Sequence, residues 1–315
     1  MHLNYLLPAL SVLTCFGSCT SPTPTPGPGQ NLLIAYNVLE DEEADNYEIY
    51  VMQPDGSGQR NISQWKGVDW VYHAMGDRLY LLSDRDTAHR HLFLWEMDAA
   101  GGQQRKIYPH RLYDSWIASR KNGEEFLVTT KKDTVKTFVL IDRNGQEIRQ
   151  VFGTNEYKIN DPAFSPDGRW IVYRSARSGV DELWIMDEYG EQQRQLTHYP
   201  PGDTTGGKHF YHAGPPTWLA GGQWISYISK QNANYSIFRI QPDGSGLQQI
   251  SPDGFNEGWH AWTPDGQWIA YDGTDLSDAN FDIYTMRADG SEVKRLTDHP
   301  RYEQAPVWVL APPPE

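Results

Sequence analysis

One segment is written six times along this chain, and it limits the fold more than any other feature. The copies are "IYVMQPDGSGQRNIS" from Ile49, "LWEMDAAGGQQRKIY" from Leu94, "FVLIDRNGQEIRQVF" from Phe138, "LWIMDEYGEQQRQLT" from Leu183, "IFRIQPDGSGLQQIS" from Ile237 and "IYTMRADGSEVKRLT" from Ile283. Their shared glycines, Gly56, Gly101, Gly145, Gly190, Gly244 and Gly290, fall about 45 residues apart, with one longer step of 54. A period of that length, with room for four short strands per unit, is the signature of radially repeated β-sheets. The expectation is therefore an all-β, six-bladed β-propeller of four-stranded antiparallel blades.

Each copy has a local logic. An aromatic or β-branched residue (Tyr50, Trp95, Val139, Trp184, Phe238, Tyr284) stands two positions before Met or Ile (Met52, Met97, Ile141, Met186, Ile240, Met286). Residues two apart share a strand face, so these pairs should pack between blades. The glycine then fits a tight turn with positive φ. Upstream lies a second hairpin, "FSPDGRWIVYRS" from Phe164, repeated as "WLAGGQWISYIS" from Trp218 and "WTPDGQWIAYDG" from Trp262. A blade thus reads strand A, turn, strand B, loop, strand C, turn, strand D. Blades 2 and 3 carry degenerate versions, "HAMGDRLYLL" and "SRKNGEEFLV". The first copy opens with "LLIAY", Leu32–Tyr36, which matches strand B. Its strand A should come from "APVWVL", Ala305–Leu310, with Trp308 standing where Phe164, Trp218 and Trp262 stand. Such closure removes the open sheet edges that invite aggregation.

The rest of the chain sets the context. Residues 1–19 have an apolar middle and the small pair Gly17-Ser18 before Cys19, like a bacterial lipoprotein signal with Cys19 as the lipidated residue. Residues 20–30, "TSPTPTPGPGQ", form a Pro/Thr/Gly tether that cannot pack a core. The propeller should occupy 31–311, and 312–315 are a tail. No cysteine follows Cys19, which excludes disulfides, thiolate zinc sites and a cysteine nucleophile from the body. The net charge of −14 argues against nucleic acid as a partner. The reading is an exported monomer, lipid-anchored in the cell envelope at the periplasm or outer membrane, touching the membrane through its anchor only.

The grammar "SPDG…W-I-x-Y…D-x-x-L-W-I-M…DG…Q-L-T" resembles the TolB-type (PD40, WD40-like) propeller repeat of bacterial periplasmic proteins. The resemblance covers nearly all of 31–311. It implies the propeller fold, here expected as a stand-alone unit without the separate α/β domain that precedes the TolB blades. The same repeat occurs in translocation proteins, in peptidase propellers and in sugar lyases, so it leaves function open.

Function should sit where copies differ. The A–B and C–D turns obey the repeat on one face, and the B–C loops and D–A connections of the other face are free to bind. The longest departure, "HYPPGDTTGGKHFYHAGPP" (His198–Pro216), contains His209 and His212. The next connection brings Trp259 and His260, and the last brings Tyr302, Glu303 and Gln304. Asn160 and Asp161 hold the corresponding place in blade 4, and Tyr113 and Asp114 in blade 3. These eleven residues are expected around the mouth of the central channel, as a non-catalytic binding surface for a protein or glycan, with no catalytic residue and no cofactor. The alternative is a divalent metal, manganese or calcium, held by His209, His212, His260 and Gln304. The pattern resembles oligogalacturonate lyases, which would imply a metal-dependent polysaccharide lyase. Two acidic loops, "NVLEDEEADN" (Asn37–Asn46) and "DGTDLSDANFD" (Asp272–Asp282), read as solvated charge. The spacing of Asp272, Asp275, Asp278 and Asp282 does not match an EF-hand. No nucleophile elbow, phosphate-binding glycine loop or H-E-x-x-H is present.

Overall fold

A computed structural model describes residues 28–29, 31–199, 213–231, 234–275 and 280–312. Cys19, most of the tether, His209 and His212 lie outside the described residues. Six four-stranded antiparallel sheets form a closed ring of blades. Among the described residues the single helical element is one 3-10 turn, Lys121–Gly123, and no helix is long and apolar enough to cross a membrane.

Closure occurs as the sequence predicts. Strand A of blade 1 is the C-terminal Glu303–Leu310, hydrogen-bonded to strand B, Leu32–Asp41. Its register pairs Ile34 with Trp308 and Ala35 with Val307. The degenerate hairpins of blades 2 and 3 also form. Asp69–Met75 pairs with Arg78–Ser83, and Ala118–Arg120 pairs with Glu125–Lys132. The outer D strands span two residues in every blade except the third, where Glu147–Thr154 spans eight. Short outer strands offer little unpaired backbone to another chain.

Apolar clusters lie between neighbouring blades. Met97 packs with Ala35 and Ile49 of blade 1, Met186 with Leu127 and Phe138 of blade 3, and Met286 with Ile237 of blade 5. The repeat's final Ser or Thr also has a defined task. Its hydroxyl accepts the first amide of the strand C core: Ile49 N donates to Ser63 Oγ, Leu183 N to Thr197 Oγ1, Ile237 N to Ser251 Oγ and Ile283 N to Thr297 Oγ1, each at 2.8–2.9 Å. In blades 1 and 4 the same hydroxyl donates onward to Glu48 and Glu182.

The shared glycine is demanded twice over. At Gly145 φ is +83°, and a Cβ would stand 2.0 Å from the carbonyl oxygen of Ile107 in the preceding blade. Gly101 meets Ile62 O at 2.2 Å in the same way. The C–D turn is therefore both a turn and a contact surface. On the channel side, Trp308 Nε1 donates to Ala261 O (3.1 Å) and Trp218 Nε1 to Ala163 O (3.2 Å), so each indole stitches its blade to the one before.

The reading of "DGTDLSDANFD" as solvated charge is corrected at both ends. Asp272 and Asp282 are buried. Asp272 Oδ1 accepts the amides of Trp259 and Ala305, both at 2.9 Å, and so ties blade 6 to the closing strand. Asp282 pairs with Arg295 at 2.5 Å. Asp278 lies outside the described residues.

Candidate functional site

Strand A lines the channel, and in most blades it does not run straight. The A–B register slips between Val71 and His73 in blade 2, between Asn160 and Ala163 in blade 4, between Glu257 and His260 in blade 6, and between Ala35 and Asn37 on the strand facing the closing segment. A bulge re-aims the side chains around it. Here it turns Tyr72 and Trp259 toward the axis, where they meet Trp116 from the connection before strand A of blade 3. Tyr72 and Trp116 have ring centroids 4.8 Å apart, Tyr72 and Trp259 6.3 Å, and Trp116 and Trp259 6.3 Å with nearly parallel planes.

These three rings line both the lower channel and a hollow of about 450 Å³ at the face opposite the repeat turns, and so divide one from the other. The hollow has two unlike walls. One is polar, built from Asp114, Ser115, Asn160, Asp161 and Arg174. Asp161 sits at φ +53°, and its amide donates to Asp114 Oδ2 at 2.6 Å. Asn160 Nδ2 donates to Asp114 Oδ1 at 3.4 Å, and Lys136 Nζ donates to Asn160 Oδ1 at 2.9 Å. The Arg174 guanidinium lies 2.5 Å from Asp161 and 3.3 Å from Asp181. Burial pushes the Asp161 carboxyl up, and Arg174 pulls it back toward the charged form.

The other wall holds Tyr235, Phe281 and Tyr302 around Glu257. Phe281 and Tyr302 pack at 5.4 Å between centroids. Glu257 is 3% exposed, and burial pushes its carboxyl up to about 8. Ser251 and Ser236 are its hydrogen-bonding neighbours. Its Oε2 has no hydrogen-bond partner among the described residues.

Of the eleven residues expected at the mouth, Asp114, Asn160, Asp161, Trp259 and Tyr302 line this hollow. Tyr113 stands on the outer rim between Arg111 and Lys131. Glu303 is buried, its amide donating to Phe281 O, and Gln304 faces a separate groove beside Glu40 and Arg301. His260 is displaced: the bulge drops it below the aromatic floor, where its Nε2 lies 2.7 Å from Ser226 Oγ. Burial pulls this imidazole down to about 3. His209 and His212 lie outside the described residues, and among the described residues no group of three or more His, Cys, Asp or Glu side chains is placed to hold a metal ion. His260 and Gln304, the described half of the expected metal set, line different cavities. Tyr72, Trp116, Arg174 and Glu257 were not among the expected residues. "NEGWH" sets Glu257 two residues before Trp259 and "YDSW" sets Trp116 two after Asp114, the spacing that would have found both.

No protein-family model matches the chain. A TolB homolog of Protochlamydia amoebophila is 26% identical over 197 residues, covering 58% of this chain and 41% of that protein. An uncharacterised protein of Agrobacterium fabrum is 26% identical over 141 residues, covering 43% and 45%. The chain spans less than half the length of the curated relatives it matches. Among solved structures, TolB from Acinetobacter baumannii superposes with a TM-score of 0.69 at 17% identity, over 90% of this chain and 68% of that one. An oligogalacturonate lyase in complex with manganese superposes with a TM-score of 0.52 at 12% identity, over 86% and 80%. The fold is that of the TolB-type six-bladed propeller.

Proposed function

We propose that this chain is a non-catalytic binding scaffold of the bacterial cell envelope, with the channel-mouth hollow as its binding surface. The observation that carries this reading is the contrast between the two faces. One face is occupied by repeat turns that hold the blades together. The other opens into a hollow with an aromatic floor and buried charged walls, of a size suited to a side chain or a small ligand. Aromatic rings at a rim suit both protein and glycan partners. The likeness to TolB propellers supports an exported, envelope location. Lipidation at Cys19 is the proposed anchor, and Cys19→Ala should release the protein from the membrane fraction. An unchanged membrane fraction would remove the anchor from the account.

The lyase alternative rests on a likeness in fold, and two of its four expected metal ligands, His209 and His212, lie outside the described residues. The two readings separate by experiment. Immobilised protein should retain a component of solubilised envelope fractions, protein or glycan. Retention should be lost in Trp116→Ala/Trp259→Ala and kept in Tyr189→Ala, since Tyr189 is 64% exposed at a C–D turn of the opposite face. Retention unaffected by the mouth substitutions would refute the reading. Conversion of a uronic-acid polymer to unsaturated products would replace it with the lyase.

A further inference from the structure

We infer that the mouth hollow is a receptor for an organic cation, an ammonium or guanidinium group carried on an extended chain, seated against Glu257 and the aromatic floor. This rests on the mouth being the binding surface and names the chemistry it selects. The starting point is the place of Glu257 in the repeat. In blades 1, 4 and 6 the residue before the strand C core is an acid, Glu48, Glu182 or Asp282. In blade 5 that place is held by Ser236, and Glu257 reaches the same hydroxyl pair, Ser236 and Ser251, from strand A of the next blade. Glu48 and Glu182 are each satisfied by a hydroxyl and a backbone amide. Glu257 is left with Oε2 unpartnered among the described residues and lines the hollow.

A buried carboxyl oxygen left without a partner is costly. Among the described residues, the cations beside the hollow are committed elsewhere: Arg174 to Asp161 and Asp181, and Lys136 to Asn160 beside Asp114. Asp253, a further charged neighbour of Glu257, is also acidic. Trp259 sits two residues from Glu257 on the same strand, and rings facing a desolvated cation add attraction. A net charge of −14 draws cations toward the molecule. Gly258 is required beside this acid, because a Cβ there would lie 2.0 Å from Asp272 Oδ2.

The raised Glu257 carboxyl gives the proposal a proton signature. Near neutral pH burial holds Glu257 largely protonated, and a cation favours the carboxylate, so entry should release a proton. Affinity should rise between about pH 6 and 9, where the probe ammonium stays charged.

The test is calorimetric titration of the full chain with N-acetyl-lysine methylamide, N-acetyl-arginine methylamide, cadaverine and the neutral N-acetyl-norleucine methylamide. The cationic probes should bind at least tenfold tighter than the norleucine probe, and Glu257→Gln should remove that margin. In the unsubstituted protein the apparent enthalpy should change between phosphate and Tris buffers, a readout that does not depend on how the variant folds. Tighter binding of cadaverine would mark a free polyamine as the source, and tighter binding of the amino-acid probes a basic peptide. Norleucine binding as tight as lysine, or a folded Glu257→Gln variant with undiminished lysine affinity, would overturn the proposal. If no cation binds while envelope retention still depends on Trp116 and Trp259, the cation assignment falls and the mouth reading stands.

Discussion

At the residue scale, a few buried polar groups hold the channel in shape. Asp272 is the clearest. One of its oxygens accepts amides from two different blades, at Trp259 and at Ala305. Replacing it with Ala leaves both amides buried without a partner, at about 1–3 kcal/mol for each. Asp272→Ala should therefore lower stability by about 2–6 kcal/mol, and Asp272→Asn, which keeps one acceptor, by less. Denaturant melts of the two variants check this, and equal losses would mean that the amide contacts do not matter. The same scale shows what sequence could and could not reveal. Asp114, Asn160, Asp161 and Trp259 were legible because they sit in D–A connections, whose ends must converge on the axis. Tyr72 was hidden because blade 2 carries a worn hairpin, which blurred the register of its inner strand. His260 was misplaced because a bulge, which no residue of "EGWHAW" announces, moves it one step along the channel.

At the element scale, the turn and the closing strand are the two devices that join blades. Gly145 combines positive φ with a 2.0 Å approach to Ile107 O, whereas Gly76 has positive φ and open space around its missing Cβ. Gly76→Ala should cost about 1 kcal/mol, the backbone penalty of a left-handed residue. Gly145→Ala adds a clash with a neighbouring blade and should cost clearly more. Equal melting shifts would contradict the account of why the repeat keeps its glycine. Closure makes the second case. Trp308 is buried, packs with Ile34 and Trp268, and stitches to Ala261. Trp308→Ala should cost about 3–5 kcal/mol, and removal of 303–315 should abolish a cooperative melt by baring both edges of the ring. A truncated chain that melts like the full one would show that this strand is dispensable. Blade count and closure were both readable from the period and from one displaced "APVWVL", because ring geometry leaves little choice once the repeats are counted.

At the scale of the whole molecule, opposing titrations set the response to pH. Burial raises Glu182, Asp272 and Glu303 to about 7 and Glu257 to about 8. Folded values above the unfolded ones mean stability that is full below about pH 4 and lost as pH rises through 7–8. Burial lowers His73 to about 4 and His260 to about 3, so their stability is present above about 6.5 and lost as pH falls through those values. Between about pH 4.5 and 6.5 the raised acids, with Asp161 shifted the same way, outnumber the two imidazoles, so these groups place the maximum near about pH 4–5, with a falling melting temperature from there toward pH 8. Glu257→Gln should flatten the alkaline limb, and a melting temperature that rises steadily from pH 5 to 8 would contradict the burial assignments.

The claim that the mouth is the working face is tested most directly by fluorine NMR of protein labelled with 5-fluorotryptophan, each signal assigned by Trp→Phe substitution. Trp116 and Trp259 floor the hollow, while Trp218, Trp262 and Trp308 line only the lower channel. On titration with the retained envelope component, the account predicts that the Trp116 and Trp259 resonances move and saturate while those of Trp218, Trp262 and Trp308 stay in place. Saturable binding that leaves Trp116 and Trp259 unmoved would contradict it.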